Sequence, residues 1–179
     1  LMRLREICCD PRLVADNWDG GSAKLDACME LVTAAVEGGH RILLFSQFTS
    51  MLELLAKRLD EAGVSHFTLQ GSTPKPVRAE LVRRFNSGEA DVFLISLRAG
   101  GTGLNLTAAD IVIHYDPWWN VAAQNQATDR AYRIGQRNPV QVYKLIAQDT
   151  IEEKIVELQQ AKQDLAETVT GSADGAILS

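Results

Sequence analysis

The chain has 179 residues, 46% of them hydrophobic, enough for one compact core and too short for two independent ones. It has no run of about 18 uncharged apolar residues and does not open with the basic-then-apolar order of an export signal. The expectation is therefore a soluble intracellular protein without a membrane partner, cytoplasmic or nucleoid-associated in a bacterium or archaeon and nuclear in a eukaryote. The formal charge of −5 excludes little, because residues 149–179 hold seven acids against two lysines and carry all of it. Residues 130–144 hold Arg130, Arg133, Arg137 and Lys144 with no acid, which leaves room for a local basic surface.

Residues 1–21 begin with a short helical pattern (Leu1, Leu4, Arg5, Cys8) and continue through Pro11, Asn17, Asp19, Gly20 and Gly21, the composition of a segment joined to something upstream. A helix is expected after Ser22, with Leu25, Cys28, Met29, Val32 and Val36 at helical spacing, followed by a buried strand over Arg41 to Ser46. Met51, Leu55 and Leu59 mark a second helix, opened by a capping box of Ser50 and Glu53. A strand over His66 to Leu69 precedes a third helix, capped by Thr73 with Pro74 in its first turn, carrying Val77, Leu81 and Phe85 and stopped by Gly88. Val92 to Leu97 and Ile111 to Tyr115 read as buried strands, as does Val140 to Ile146. Between the last two, a helix is expected from an Asn120 cap to Gly135. Thr150 and Glu153 open a final helix bearing Ile151, Ile155, Leu158 and Leu165, and from Gly171 the sequence reads as a frayed tail. The expected organisation is a linking segment 1–21, one domain 22–170 and a tail 171–179.

Strands alternating with helices of this length predict an α/β fold with a mostly parallel sheet covered on both faces. Ligands of such sheets bind beyond the carboxyl ends of the strands, here Ser46 and Gln47, residues 96–103 and residues 116–120. Cys8, Cys9 and Cys28 lack metal-binding spacing and read as reduced thiols, and His40, His66 and His114 are scattered singly, so no metal ligand is assigned.

Gln126-Ala-Thr-Asp-Arg130-Ala-Tyr-Arg133 places Gln126, Arg130 and Arg133 on one helical face, with Ala123, Ala127, Ala131 and Ile134 towards the core. Two guanidinium groups held side by side repel unless an anion lies between them, and a triphosphate undergoing cleavage is such an anion. A solvated face with chance arginines is the alternative that the helix alone leaves open.

QATDRAYRIGQ resembles the last motif of superfamily-two helicase-like ATPases in its Swi/Snf version. ISLRAGGTGLNLTAAD with VIHYDPWWN resembles the motif before it, RILLFSQFTSMLELL the first motif of that family's second lobe, and LQGSTPKPVRAELVRRFN the segment between. LREICCDPRLV and GSAKLDACMELV resemble the family's lead-in, so the likeness is collinear over residues 1–160. It implies a RecA-like, P-loop-type three-layer domain. It also implies that Arg130 and Arg133 are arginine fingers reaching an ATP–Mg2+ held mainly by the first RecA-like lobe of the same parent chain, with Gln126 orienting them. Gly101 and Gly103 would form a tight loop with amides near the phosphates. Lys24, Arg78 and Arg98, and more weakly Gln47, are implied as contacts to double-stranded DNA, with Trp119 beside the DNA and Trp118 packed inward. A DNA-bound protein complex is a further implied partner. Val121 stands where many family members have proline, which bears on the geometry of Trp119 and not on the arginines.

The chain contains no G-x-x-x-x-G-K-[ST] loop and no D-E-x-H tetrad, so the lobe is expected to be inactive as an ATPase alone and to complete a site when the lobes close. The competing expectations are a lobe of a strand-separating helicase and a non-enzymatic interaction module docking through the acidic last helix. A dinucleotide-binding fold is set aside because no G-x-G-x-x-G follows the first strand.

Overall fold

The structure is a computed structural model that describes residues 1–100, 103–129 and 136–174. Five strands, β1 (Ile42–Ser46), β2 (His66–Leu69), β3 (Val92–Ser96), β4 (Ile111–His114) and β5 (Gln141–Lys144), form one sheet in the order β2-β3-β1-β4-β5. All four pairings are parallel, with Ser46 opposite Ser96 and Phe45 opposite His114 in register. The helices are α1 (Met2–Cys9), α2 (Ala23–Glu37), α3 (Thr49–Glu61), α4 (Lys75–Asn86), α5 (Leu97–Gly100), α6 (Val121–Thr128) and α7 (Ile151–Asp174), and a short 3-10 turn spans Pro11–Leu13.

Alternation along β1 sends Ile42 and Leu44 to one face and Leu43 and Phe45 to the other, and each face has its own core. Leu25, Cys28 and Val32 of α2 and Met51, Leu55 and Leu59 of α3 cover the first; Phe85 of α4, Trp118 and Ala127 of α6 cover the second. A sheet buried on both sides is the reason that β1 and β3 read as unbroken apolar runs. The expected α/β three-layer fold is the one observed.

Several local expectations differ. β5 is a strand, but all four of its residues are exposed: it lies at an edge of the sheet and, unlike β2 at the other edge, is not covered. The box of Ser50 and Glu53 does not cap α3, which begins one residue earlier behind Phe48 and has no side-chain cap. Thr73 does not cap α4: its Oγ1 accepts from the Gln70 amide at 3.0 Å and Pro74 takes the cap position. Gly88, at φ +101°, does follow the end of α4 in a conformation that other residues rarely adopt. Helix α6 is capped by Asn120, whose Oδ1 accepts from the Ala123 amide at 3.2 Å, and spans Val121–Thr128; residues 130–135 of the helix expected to reach Gly135 lie outside the described residues. Thr128 turns its hydroxyl back to the Gln124 carbonyl at 3.3 Å, a bond that weakens the helix at its end. Finally, α7 continues to Asp174, past the Gly171 at which a frayed tail was expected, and Val77, Leu158 and Leu165 are exposed despite their helical spacing.

Candidate functional site

The carboxyl ends of β1, β2 and β3 open onto a cleft of about 770 Å3 lined in part by Gln47, Thr49, Ser50, Arg78 and Arg98, with Glu6 of α1 the acid on its wall. Three of the five residues expected to meet DNA are thus brought together. Thr49 and Ser50 open α3, and because no side chain caps that helix, its first-turn amides and the positive end of its dipole belong to the same wall.

One cleft wall is fixed by Asp116, which follows β4 and is buried. Its carboxylate accepts from Ser46 Oγ at 2.5 Å, from the Gln47 amide at 3.2 Å and from Gln47 Nε2 at 2.9 Å. Burial pushes the Asp116 carboxyl above its ordinary value, and the hydrogen bonds from Ser46 and Gln47 oppose that shift. Gln47 Nε2 also donates to the Pro117 carbonyl at 2.8 Å, so both of its protons are used and only an acceptor oxygen remains. As placed, Gln47 shapes the wall rather than offering a proton to a phosphate.

Arg78 is half-buried. Its Nε donates to the Thr73 carbonyl at 2.7 Å and its Nη2 to the carbonyls of Gly71 and Gln70 at 2.7 and 3.3 Å. These carbonyls fix the bearing of the guanidinium at the cleft. Arg98 on α5 is exposed, and its stem lies against Gly71, where a Cβ would stand 3.5 Å from Arg98 Cβ.

Lys24 is placed differently from its expectation. Its Nζ lies 2.7 and 2.6 Å from the two carboxylate oxygens of Glu152, with side-chain exposures of 9% and 1%, and 5.1 Å from the centroid of the Tyr115 ring. The ammonium is held by a buried carboxylate, so this geometry does not present it to a phosphate.

Trp118 and Trp119 point opposite ways, as expected: Trp118 is 1% exposed in the core, and Trp119 is half-buried in a groove of about 620 Å3 between α6 and α7. The Arg5 guanidinium stacks 5.8 Å from both the Trp119 and the Phe48 rings and donates to the Pro117 carbonyl at 3.5 Å. Gln126 is exposed on α6, and Ala123 and Ala127 face the core as expected. Gly103 has φ +69°, which requires glycine in the loop after α5. Gly101, Arg130, Ala131, Arg133 and Ile134 lie outside the described residues.

Sequence reasoning missed Arg5, His114, Asp116, Gln124, Thr128, Glu152 and Gln159 as parts of this architecture. Asp116 alone had a signal, its position just past a buried strand. The others act across 6 to 128 residues of sequence, from Gln124 Oε1 accepting from the Trp118 amide at 3.3 Å to Glu152 on Lys24. Burial holds the thiols of Cys9 and Cys28 in their neutral form, that of Cys28 pushed up to about 12.

A wholly parallel sheet covered on both faces, with a cleft at its strand carboxyl ends, is a doubly wound α/β fold, and its likeness to a solved ATPase lobe makes it RecA-like. The sequence matches the helicase conserved C-terminal domain over residues 23–135, and the chain belongs to that family, in its Swi/Snf-type branch. It is 42% identical over 169 residues to an ATP-dependent helicase of Mycoplasma pneumoniae, covering 92% of this chain and 16% of that protein. It is 39% identical over 175 residues to the mouse SWI/SNF-related matrix-associated actin-dependent regulator of chromatin subfamily A member 1, covering 90% and 17%. The crystal structure of the C-terminal part of the Fun30 ATPase domain superposes with a TM-score of 0.74 at 34% identity, over 88% of this chain and 53% of that one. The chain therefore spans about a sixth of the length of these curated relatives.

Proposed function

We propose that this chain is the second motor lobe of an ATP-dependent double-stranded DNA translocase or nucleoprotein remodeller, which completes an ATPase site without containing it. The first lobe of the parent protein holds ATP–Mg2+. On closure, Arg130 and Arg133 reach the transferred phosphate, with Gln126 of α6 helping to orient them and the Gly101 to Gly103 loop lending amides. The reading rests above all on the cleft at the ends of β1, β2 and β3, where Arg78, Arg98 and the uncapped start of α3 converge. Cations and amides with no base-reading geometry suit a phosphate backbone, and contacts of that kind are blind to sequence. Trp119 is proposed to lie against the same duplex. Lys24 and Gln47 support this path from behind, through Glu152 and Asp116.

The test is duplex binding by the full-length protein with Arg78 and Arg98 both replaced by alanine. The expected result is weaker binding with a flatter salt dependence, the slope of log affinity against log salt falling by about 0.9 for each phosphate that is no longer neutralised. An unchanged slope would remove the cleft from the DNA path. A strand-separating helicase would keep this cleft and differ only in unwinding assays.

A further inference from the structure

His114 closes β4 inside an apolar ring cluster, stacked on Phe45 at 5.6 Å and edge-on to Trp118 at 5.4 Å between centroids. It is 1% exposed, and a phenylalanine would fill such a place without a desolvation cost. What the imidazole adds is one bond, Nε2 to Thr128 Oγ1 at 2.9 Å. The direction of that bond follows from Thr128, whose single hydroxyl proton goes to the Gln124 carbonyl at 3.3 Å. The hydroxyl oxygen is then the acceptor, Nε2 carries the proton, and the buried Nδ1, which has no partner among the described residues, is an unprotonated acceptor rather than a stranded donor. Gln124, 1% exposed, closes the circuit: its Oε1 accepts from the Trp118 amide at 3.3 Å. Strand end, helix end and tryptophan segment are tied into a loop of contacts, His114 to Thr128 to Gln124 to Trp118 and back to His114.

Thr128 is the last residue of α6, and Arg130 follows it by two positions. Helix α6 is only eight residues long and buries little besides Gln124 and Ala127, so its carboxyl end depends on this hydroxyl for a fixed bearing on the sheet. We propose that His114 and Thr128 are positioning residues: their hydrogen bond anchors the end of α6, from which the sequence leads in two residues to Arg130, and ATP turnover depends on that anchor. This rests on the reading of Arg130 and Arg133 as phosphate-facing groups. Neither His114 nor Thr128 touches ATP or DNA.

The experiment is steady-state, DNA-stimulated ATP hydrolysis by the full-length protein carrying His114→Phe, Thr128→Val, both together, or Thr128→Ser, with Arg130→Lys alongside. Phenylalanine keeps the ring packing and removes the bond alone, and valine keeps the branched shape and removes with it only the hydroxyl's bond to the Gln124 carbonyl within α6. Loss of the anchor predicts a kcat lowered on the order of tenfold in each single variant, with KM for ATP and duplex affinity changed by less than about twofold. The double variant falls no lower than the worse single one, because both cut the same bond, and Thr128→Ser keeps wild-type kcat. Wild-type kcat in Thr128→Val overturns the proposal, as does a double variant in which the two losses multiply. If His114→Phe does not fold, the valine and serine variants decide alone. Arg130→Lys separates the two levels: if it turns over normally, the phosphate-facing reading fails. If it is inactive while Thr128→Val is normal, only the positioning role fails.

Discussion

Lys24 and Arg98 carry the same charge and the same expected task, and the structure gives them opposite surroundings. Lys24, in the first turn of α2, has 9% of its side chain exposed and sits between the Glu152 carboxylate and the Tyr115 ring. Arg98 stands open on a cleft wall beside the half-buried Arg78. A cation enclosed with a carboxylate is an internal tie, here holding the start of α7 against α2. A cation that is open to solvent in a cleft is available to an external anion. Environment, more than residue type, separates a brace from a contact.

The largest expected effect tests the brace. Replacing Glu152 by glutamine leaves a buried ammonium facing a neutral amide and should cost about 3–5 kcal/mol of stability, read as a drop in urea midpoint with little change in slope. Replacing the pair together, Lys24→Met with Glu152→Leu, should recover part of that loss: two apolar side chains need no partner, but the Ala147 amide, which donates to Glu152 at 2.7 Å, loses its acceptor. If Glu152→Gln proves neutral, the enclosure is not real and Lys24 returns to the candidates for DNA contact.

Much of the frame was legible without coordinates, for a definite reason. Three strands buried on both faces have to be short apolar runs, so β1, β3 and β4 stand where those runs stand, while β2, at an edge and half-buried, still falls at His66 to Leu69. Ser22 and Asn120 cap α2 and α6 as their sequences suggested. Ser50 and Thr73 did not cap, because a hydroxyl before a helix has several nearby amides to choose from and only backbone geometry decides among them. Arg78 and Arg98, singled out through their motifs, stand together in the cleft, whereas the Lys24–Glu152 pair had no signal: no local pattern joins residues 128 apart in sequence. The exposure of β5 depends on its being an edge strand, which is a property of the order β2-β3-β1-β4-β5 and not of its own residues.

A second, smaller effect concerns His114, the buried base on the opposite face of the sheet from Lys24. Desolvation, assisted by Lys144 on the neighbouring strand, lowers its pKa from 6.5 to about 4. In the unfolded chain the imidazole binds a proton more readily, so folding stability is fully present above pH 6.5 and is lost as the pH falls towards 4. The loss amounts to roughly 3 kcal/mol. Unfolding free energies of the wild type and of His114→Phe, followed from pH 7.5 down to 4.5, should therefore converge on acidification. Parallel curves would mean that the imidazole is hydrated in the folded state.

The smallest effect on stability, and the sharpest contrast with Glu152→Gln, is expected from Arg98→Ala. Arg98 is exposed, with its stem against Gly71, so the change in unfolding free energy should stay within about 0.5 kcal/mol. Duplex binding by the full-length protein should nevertheless weaken across all sequences tested, with the salt slope reduced by about 0.9, the mark of a single phosphate left to its counterions. A stability loss as large as that at Glu152 would show Arg98 to be a second brace. A neutral outcome in both assays would leave Arg78 and the amide end of α3 as the cleft's positive features. The combination predicted, stability kept and salt dependence lowered, belongs to a residue placed for a ligand rather than for the fold.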